Sequence, residues 1–155
     1  MLPFHHLYLH IPFCKHKCGY CDFNAYAGMD RLMPDYVEAL ERELVLARTQ
    51  HRFGRLETVY FGGGTPSLLP PDLITRLLRF VAANFEVAPD AEVTLEANPA
   101  STDEAKVQAW LEGADVLRHE PVHPRVSVEV AVPALVLAER EVQIKVLKGQ
   151  HATRP

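Results

Sequence analysis

The stretch Thr58-Val-Tyr-Phe-Gly-Gly-Gly-Thr-Pro-Ser67 decides the fold class. Thr58–Phe61 is β-branched and aromatic, the composition of a short strand. It runs into three glycines. Pro71 then opens a segment in which Leu73, Ile74, Leu77, Leu78 and Val81 recur at helical spacing. Strand, loop and helix in that order make one β–loop–α unit. Upstream, Leu7–Ile11 is a strand candidate followed by a cysteine-rich loop. The helix candidate Pro34–Thr49 comes next, with Val37, Leu40, Leu44 and Ala47 on one face. Downstream, Val93–Glu96 is a third strand closed by Asn98-Pro99. Ser101, with Glu104 three residues on, has the form of a capping box for a third helix that turns Val107, Trp110 and Leu111 inward.

Three such units in series predict an α/β fold with a parallel sheet and right-handed crossovers. The cysteine loop, the glycine loop and the Glu-x-Asn-Pro turn each follow a strand directly. In parallel α/β folds that edge of the sheet is where binding sites are built. A closed eight-stranded barrel takes about 250 residues, so a chain of 155 residues is expected to form a partial (β/α) barrel. Residues 1–112 carry the three units, and 113–155 are expected to be a divergent, irregular tail. In that tail, 125–132 and 141–147 alternate with period two and have the pattern of a hairpin.

All three cysteines lie within eight residues, in Cys14-Lys-His-Lys-Cys18-Gly-Tyr-Cys21. Iron–sulfur cubes are usually held by four cysteines, one per iron. A cube on three leaves one iron open to a ligand that is not protein. Phe13, Tyr20 and Phe23 provide apolar shielding, which tunes a cluster's potential. Two other readings of the same residues stand beside this one. One is a zinc site of three cysteines with His16 or His10, whose spacing is poor for zinc. The other is a redox pair of Cys18 and Cys21.

The run Gly62-Gly-Gly-Thr65 lets backbone approach a ligand closely and leaves N–H groups free to donate. It is not a Walker loop, because no Gly-Lys-Ser/Thr follows, and a plain turn before Pro66 reads equally well. Glu96 ends the third strand, where a carboxylate either reaches into a pocket or is a solvated strand-end charge. His10 sits on the first strand as a core or pocket residue. His5, His6 and His51 are expected at the surface or in local hydrogen bonds, and Trp110 in the core.

Composition bounds the rest. The chain is 48% hydrophobic and 23% charged, with net charge −4. This is ordinary for a globular domain and gives no pointer to nucleic acid. No stretch approaches the roughly 20 apolar residues of a membrane helix. The start, Met1-Leu-Pro-Phe-His-His, has no basic region followed by an apolar run, so no signal peptide is expected. Clustered cysteines without an export signal fit a reducing cytoplasm and a metal, not disulfides.

Taken together, Tyr8-x-His10-Ile-Pro-Phe-Cys14-x3-Cys18-x-Tyr-Cys21, Gly62-Gly-Gly-Thr-Pro-Ser67 and Glu96-x-Asn-Pro99 resemble the radical S-adenosylmethionine superfamily. More narrowly, they are similar to the oxygen-independent coproporphyrinogen III oxidase family and its relative, the bacterial heme chaperone. The resemblance runs from about Leu7 to Leu111. It implies a [4Fe–4S] cluster on Cys14, Cys18 and Cys21, with the open iron chelating S-adenosylmethionine. Cleavage of a carbon–sulfur bond by an electron from the cluster would yield a 5′-deoxyadenosyl radical. By position, Tyr8, Gly63 and Glu96 match contacts to S-adenosylmethionine. Gly64, Thr65 and Tyr20 match contacts to a second such molecule in the oxidases. No catalytic side chain carries over. The resemblance further implies a porphyrinogen or heme as small-molecule partner, and an electron donor such as flavodoxin or ferredoxin.

Two departures shape that expectation. Where the oxidases carry a fourth cysteine, two residues after the third, this chain has Phe23. That resembles the heme chaperone branch and turns the expectation from porphyrinogen decarboxylation toward heme binding and transfer. Beyond Leu111 the family's continuation is matched at most as an echo, which is the pattern of a truncated or frameshifted product. An inactive fragment is therefore a third expectation beside enzyme and heme carrier.

Overall fold

A computed structural model gives the structure of residues 2–16, 24–117 and 126–130. Strand β1 (Phe4–Ile11) leads through the two-residue β2 (Phe13–Cys14) to the cysteine loop, and β3 (Tyr26–Ala27) follows. Helix α1 (Met33–Gln50) returns the chain to β4 (Phe53–Gly63). Helix α2 (Pro71–Asn84), β5 (Val87–Ala97), α3 (Glu104–Ala114) and β6 (Val126–Val130) complete the described chain. The main sheet is parallel throughout, in the order β1-β4-β5-β6. Each crossover adds the next strand beside the last, without the reversal that marks a doubly wound sheet. This is the winding of a (β/α) barrel, carried through four strands.

Within the expected tail, β6 is a described strand. Val126–Val130 pairs parallel with β5, from Val93 opposite Val126 to Ala97 opposite Val130. The described partner of this segment is therefore the main sheet, and the third strand's edge is covered. The proposed hairpin mate, 141–147, lies outside the described residues.

Alternation along the strands separates two faces. Leu7, Leu9 and Ile11, Val59 and Phe61, and Val93 and Leu95 are buried beneath the helices. Against them pack Val37, Leu40 and Leu44 of α1, the predicted stripe Leu73, Ile74, Leu77, Leu78 and Val81 of α2, and Val107 and Trp110 of α3. Each large side chain buried this way stabilises the fold by about 1.5–3 kcal/mol. Pro34 and Pro71 occupy first-turn positions where a missing N–H costs nothing.

The opposite face is polar and aromatic. Register sets His6 beside Thr58 and Thr58 beside Glu92, then Tyr8 beside Tyr60 and Tyr60 beside Thr94. These are rows of the kind that fill a barrel interior.

The start of α3 differs from the capping-box expectation. Asp103 is the N-cap, its Oδ1 accepting from Lys106 N at 2.8 Å. Ser101 lies in a preceding 3-10 turn (Pro99–Ser101), and its hydroxyl serves a different contact described below.

Candidate functional site

Cys14 is placed by the segment before it, His10–Phe13, whose four carbonyls are all engaged by different parts of the fold. His10 O accepts from Tyr36 Oη at 2.6 Å, and Ile11 O accepts from Gly64 N at 2.8 Å. Pro12 O accepts from Tyr26 N at 2.6 Å, and Phe13 O accepts from Thr65 N at 2.7 Å. A helix, the glycine loop and the far side of the cysteine loop thus all grip one short run. Cys14 follows it, buried and with a free thiol. Pairing of Cys14 with Ala27 closes the base of the cysteine loop. Cys18, Tyr20, Cys21 and Phe23 lie outside the described residues.

The exit of that loop is tied to β1. His10 Nε2 lies 2.9 Å from Asn24 O, and a carbonyl oxygen only accepts, so Nε2 carries the proton. In neutral His10 the other nitrogen, Nδ1, then accepts from Tyr8 Oη at 3.2 Å. His10 is accordingly a site-face residue with both ring nitrogens engaged. His5 and His6 are hydrogen-bonded as expected, though across to β4 and not locally, at Arg55 O and Thr58 Oγ1.

The glycine run serves three different demands. A Cβ on Gly62 would meet the Tyr60 ring at 2.7 Å and the Tyr8 ring at 2.9 Å. Gly63 has φ +122°, a conformation that L side chains rarely adopt. A Cβ on Gly64 would fall 2.5 Å from Phe13 O. The loop is thus a close-packed joint between β1 and β4 as well as a turn.

Glu96 joins this joint from β5. Its Oε2 accepts from Gly63 N at 3.1 Å and its Oε1 from Tyr60 Oη at 2.8 Å. Tyr60 in turn stacks on Tyr8, with ring centroids 5.8 Å apart and planes at 22°. Tyr8 is 55% exposed. Its phenol is held above the ordinary tyrosine range by burial of the hydroxyl and then by the Glu96 charge. Tyr8, Gly63 and Glu96 therefore form one contiguous cluster through Tyr60. Gly64 and Thr65 face a different task, holding the backbone before Cys14.

Behind the cluster, Ser67 is fully buried. Its Oγ accepts from Asn98 N at 2.9 Å and lies 3.0 Å from Ser101 Oγ. Lys106 Nζ donates to Ser101 O at 2.6 Å. This network ties the glycine loop to the end of β5. Sequence reasoning did not single out Tyr60, Ser67 or Asn24. Tyr60 had a readable signal: it alternates with the buried Val59 and Phe61, which puts it on the polar face.

Comparison with known proteins gives the family of the chain. Residues 8–135 match the Radical SAM superfamily, and the chain belongs to that superfamily. Among curated relatives, the heme chaperone HemW of Mycobacterium tuberculosis H37Rv is 50% identical over 99 residues, covering 62% of this chain and 25% of the relative. HemW of Escherichia coli K12 is 44% identical over 105 residues, covering 66% of this chain and 27% of the relative. The bovine mitochondrial radical S-adenosyl methionine domain-containing protein 1 is 43% identical over 110 residues, covering 67% of this chain and 24% of the relative. The chain thus spans about a quarter of the length of the curated relatives it matches. Among solved structures, the coproporphyrinogen III oxidase HemN of Escherichia coli superposes with a TM-score of 0.56 at 24% identity, over 80% of this chain and 36% of that one. That likeness shows the fold: a partial radical-SAM-type barrel. No helix among the described residues is long and apolar enough to cross a membrane.

Proposed function

We propose that this chain is the cofactor-binding N-terminal portion of a radical S-adenosylmethionine protein of the heme chaperone branch. Cys14, Cys18 and Cys21 would hold a [4Fe–4S] cluster, and Tyr8, Gly63 and Glu96 would contact S-adenosylmethionine, with residues 1–112 as the functional core. Gly64, Thr65 and Tyr20 complete the candidate set around the cysteine loop. The observation that carries the reading is convergence. The Ile11–Phe13 run that leads into Cys14, the glycine loop after β4 and Glu96 near the end of β5 are hydrogen-bonded to one another at one edge of the sheet.

The residues fit the group. Three thiolates suit an iron–sulfur cube with one open iron. Gly63 provides backbone that approaches closely because it has no side chain. Each oxygen of the Glu96 carboxylate has a further lone pair beyond its bond to β4, and these suit an amino or ribose hydroxyl donor. When bound, the cluster supplies the electron for reductive cleavage of S-adenosylmethionine, delivered by a donor such as flavodoxin or ferredoxin. The chain's own part is to hold ligands, orient them and limit water around Cys14.

Phe23, in the place of the oxidases' fourth cysteine, and the name heme chaperone carried by curated relatives favour heme binding and transfer over porphyrinogen oxidation, and the clustered cysteines suit a reducing cytoplasm. The test is anaerobic reconstitution with iron and sulfide, followed by electron paramagnetic resonance of the reduced protein. A [4Fe–4S]⁺ signal that changes on adding S-adenosylmethionine is expected, and a cluster blind to it overturns the cofactor reading. Added heme is expected to bind, and coproporphyrinogen to remain unconsumed. Consumption would favour the oxidase reading.

A further inference from the structure

Glu96 makes its two described hydrogen bonds to the same neighbouring strand. Gly63 N holds Oε2 from the end of β4, and Tyr60 Oη holds Oε1 from three residues earlier on it. A glutamate without such ties rotates freely about its terminal torsion. Here both oxygens are fixed, and the bond from the phenol to the carboxylate is of the strong, charge-assisted kind.

Tyr60 acts on a second residue through a different part of its side chain. Its ring lies against Tyr8 in a stacked pair, and Gly62 leaves the room for both rings, since a Cβ there would strike each of them. One side chain therefore sets the orientation of two residues that the proposed function assigns to S-adenosylmethionine, on strands either side of its own. It does so by separable means, the hydroxyl for Glu96 and the ring for Tyr8. Tyr60 itself is half-buried on the polar face and is not part of the helix-covered core.

We infer that Tyr60 is a positioning residue: its hydroxyl pre-orients the Glu96 carboxylate, and its ring fixes Tyr8, before any ligand arrives. This rests on the assignment of Tyr8 and Glu96 to S-adenosylmethionine. Ordering a binding group in advance raises affinity because the ordering cost is no longer charged to the binding step.

The test compares dissociation constants for S-adenosylmethionine in the reconstituted full chain, read from the change in the reduced-cluster resonance. Wild type, Tyr60→Phe, Glu96→Gln and the double variant are measured together. Tyr60→Phe keeps the ring and removes only the hydroxyl, and is expected to weaken binding by about ten- to 150-fold, the range for one hydrogen bond to a charged group. In the Glu96→Gln background the same change is expected to do little, because the hydroxyl acts through the carboxylate. Tyr60→Leu, which also removes the stack on Tyr8, is expected to weaken binding further in both backgrounds. Unchanged affinity in Tyr60→Phe, or equal losses in both backgrounds, overturns the inference.

A wild-type protein that binds no S-adenosylmethionine would instead sink the cofactor assignment. The hold of Tyr60 on Glu96 is then decided in the ligand-free chain by the ¹³C resonance of the Glu96 carboxyl, identified by its loss in Glu96→Gln. A shift of that resonance in Tyr60→Phe sustains the positioning role, and an unmoved resonance removes it.

Discussion

Gly63 donates its backbone amide to the Glu96 carboxylate at 3.1 Å, joining the ends of two adjacent parallel strands just beyond their register pair Phe61 and Leu95. The contact makes a charged side chain part of the geometry of the glycine loop. Replacing Glu96 by Ala leaves that amide and the Tyr60 hydroxyl to find other partners. The expected cost is about 1–3 kcal/mol of unfolding free energy, measurable by urea denaturation. Glu96→Gln keeps the volume and should cost less. Equal stability of the Ala variant and wild type would mean that the contact contributes nothing to the folded state.

Gly64 is the tightest point of the joint. A methyl group there would fall 2.5 Å from Phe13 O, and Phe13 is the residue before Cys14. Gly64→Ala is expected to destabilise the chain by about 1–3 kcal/mol, as overpacking does, and to lower the iron bound per chain after reconstitution. Normal iron loading in a destabilised Gly64→Ala protein would separate the joint from the cysteine loop.

His10 secures the exit of the cysteine loop through Asn24 O. His10→Phe keeps a ring and removes the donor. The amide of Tyr26, which bonds Pro12 O, should then exchange with solvent about five- to tenfold faster, corresponding to the loss of about 1 kcal/mol from local opening. Hydrogen exchange read by mass spectrometry on the 24–27 segment checks this, and an unaltered rate refutes it.

Tyr8 should titrate above the ordinary 10.0 of a tyrosine, through burial first and the Glu96 charge second. The sign follows from proton binding. Between the unfolded and the raised folded value the native chain keeps a proton that the unfolded chain has lost. The contribution of Tyr8 to stability is therefore intact below pH 10.0 and falls as pH rises through the folded value. Glu96→Gln removes the second cause and should lower the midpoint of Tyr8. The midpoint is read at 295 nm as the difference between proteins with and without Tyr8→Phe.

Cys14→Ala tests the metal directly. The side chain is small and already buried, so the fold should survive. The characteristic absorbance and stoichiometric iron of a reconstituted cluster should be lost. A variant that keeps a full cluster would remove Cys14 from the ligand set.

Much of this architecture is legible in the sequence because it depends on near neighbours. The five apolar positions of α2 were readable from spacing and are all buried. The strands are legible only in part: Thr58–Phe61 lies within Phe53–Gly63, and Val93–Glu96 near the end of Val87–Ala97. The missed beginnings contain Gly54, Pro89 and Asp90, which spoil the alternation, and they pair across breaks in register. Ser101 and Asp103 are both residues that cap well, so the sequence pattern points to Ser101 while Asp103 two residues on caps α3. The site's contacts were harder to read. Tyr60 meets Glu96, and Ser67 meets Asn98, across more than thirty residues, and only the parallel register brings them together. Cys14, Gly63, Gly64, Thr65, Tyr8 and Glu96 were named from their motifs, while the network that holds them required the fold.

Closing the cysteine loop at its base has a thermodynamic consequence. Pairing of Cys14 with Ala27, with the Tyr26 amide on Pro12 O, fixes the distance between the loop's two ends when the chain folds. Loop closure is an entropic cost that grows only slowly with length, and here folding has already met it. A metal held by the loop's cysteines would not meet that cost of bringing the two ends together again, and loading is expected to leave the amides of β1 and β4 as protected as they were before.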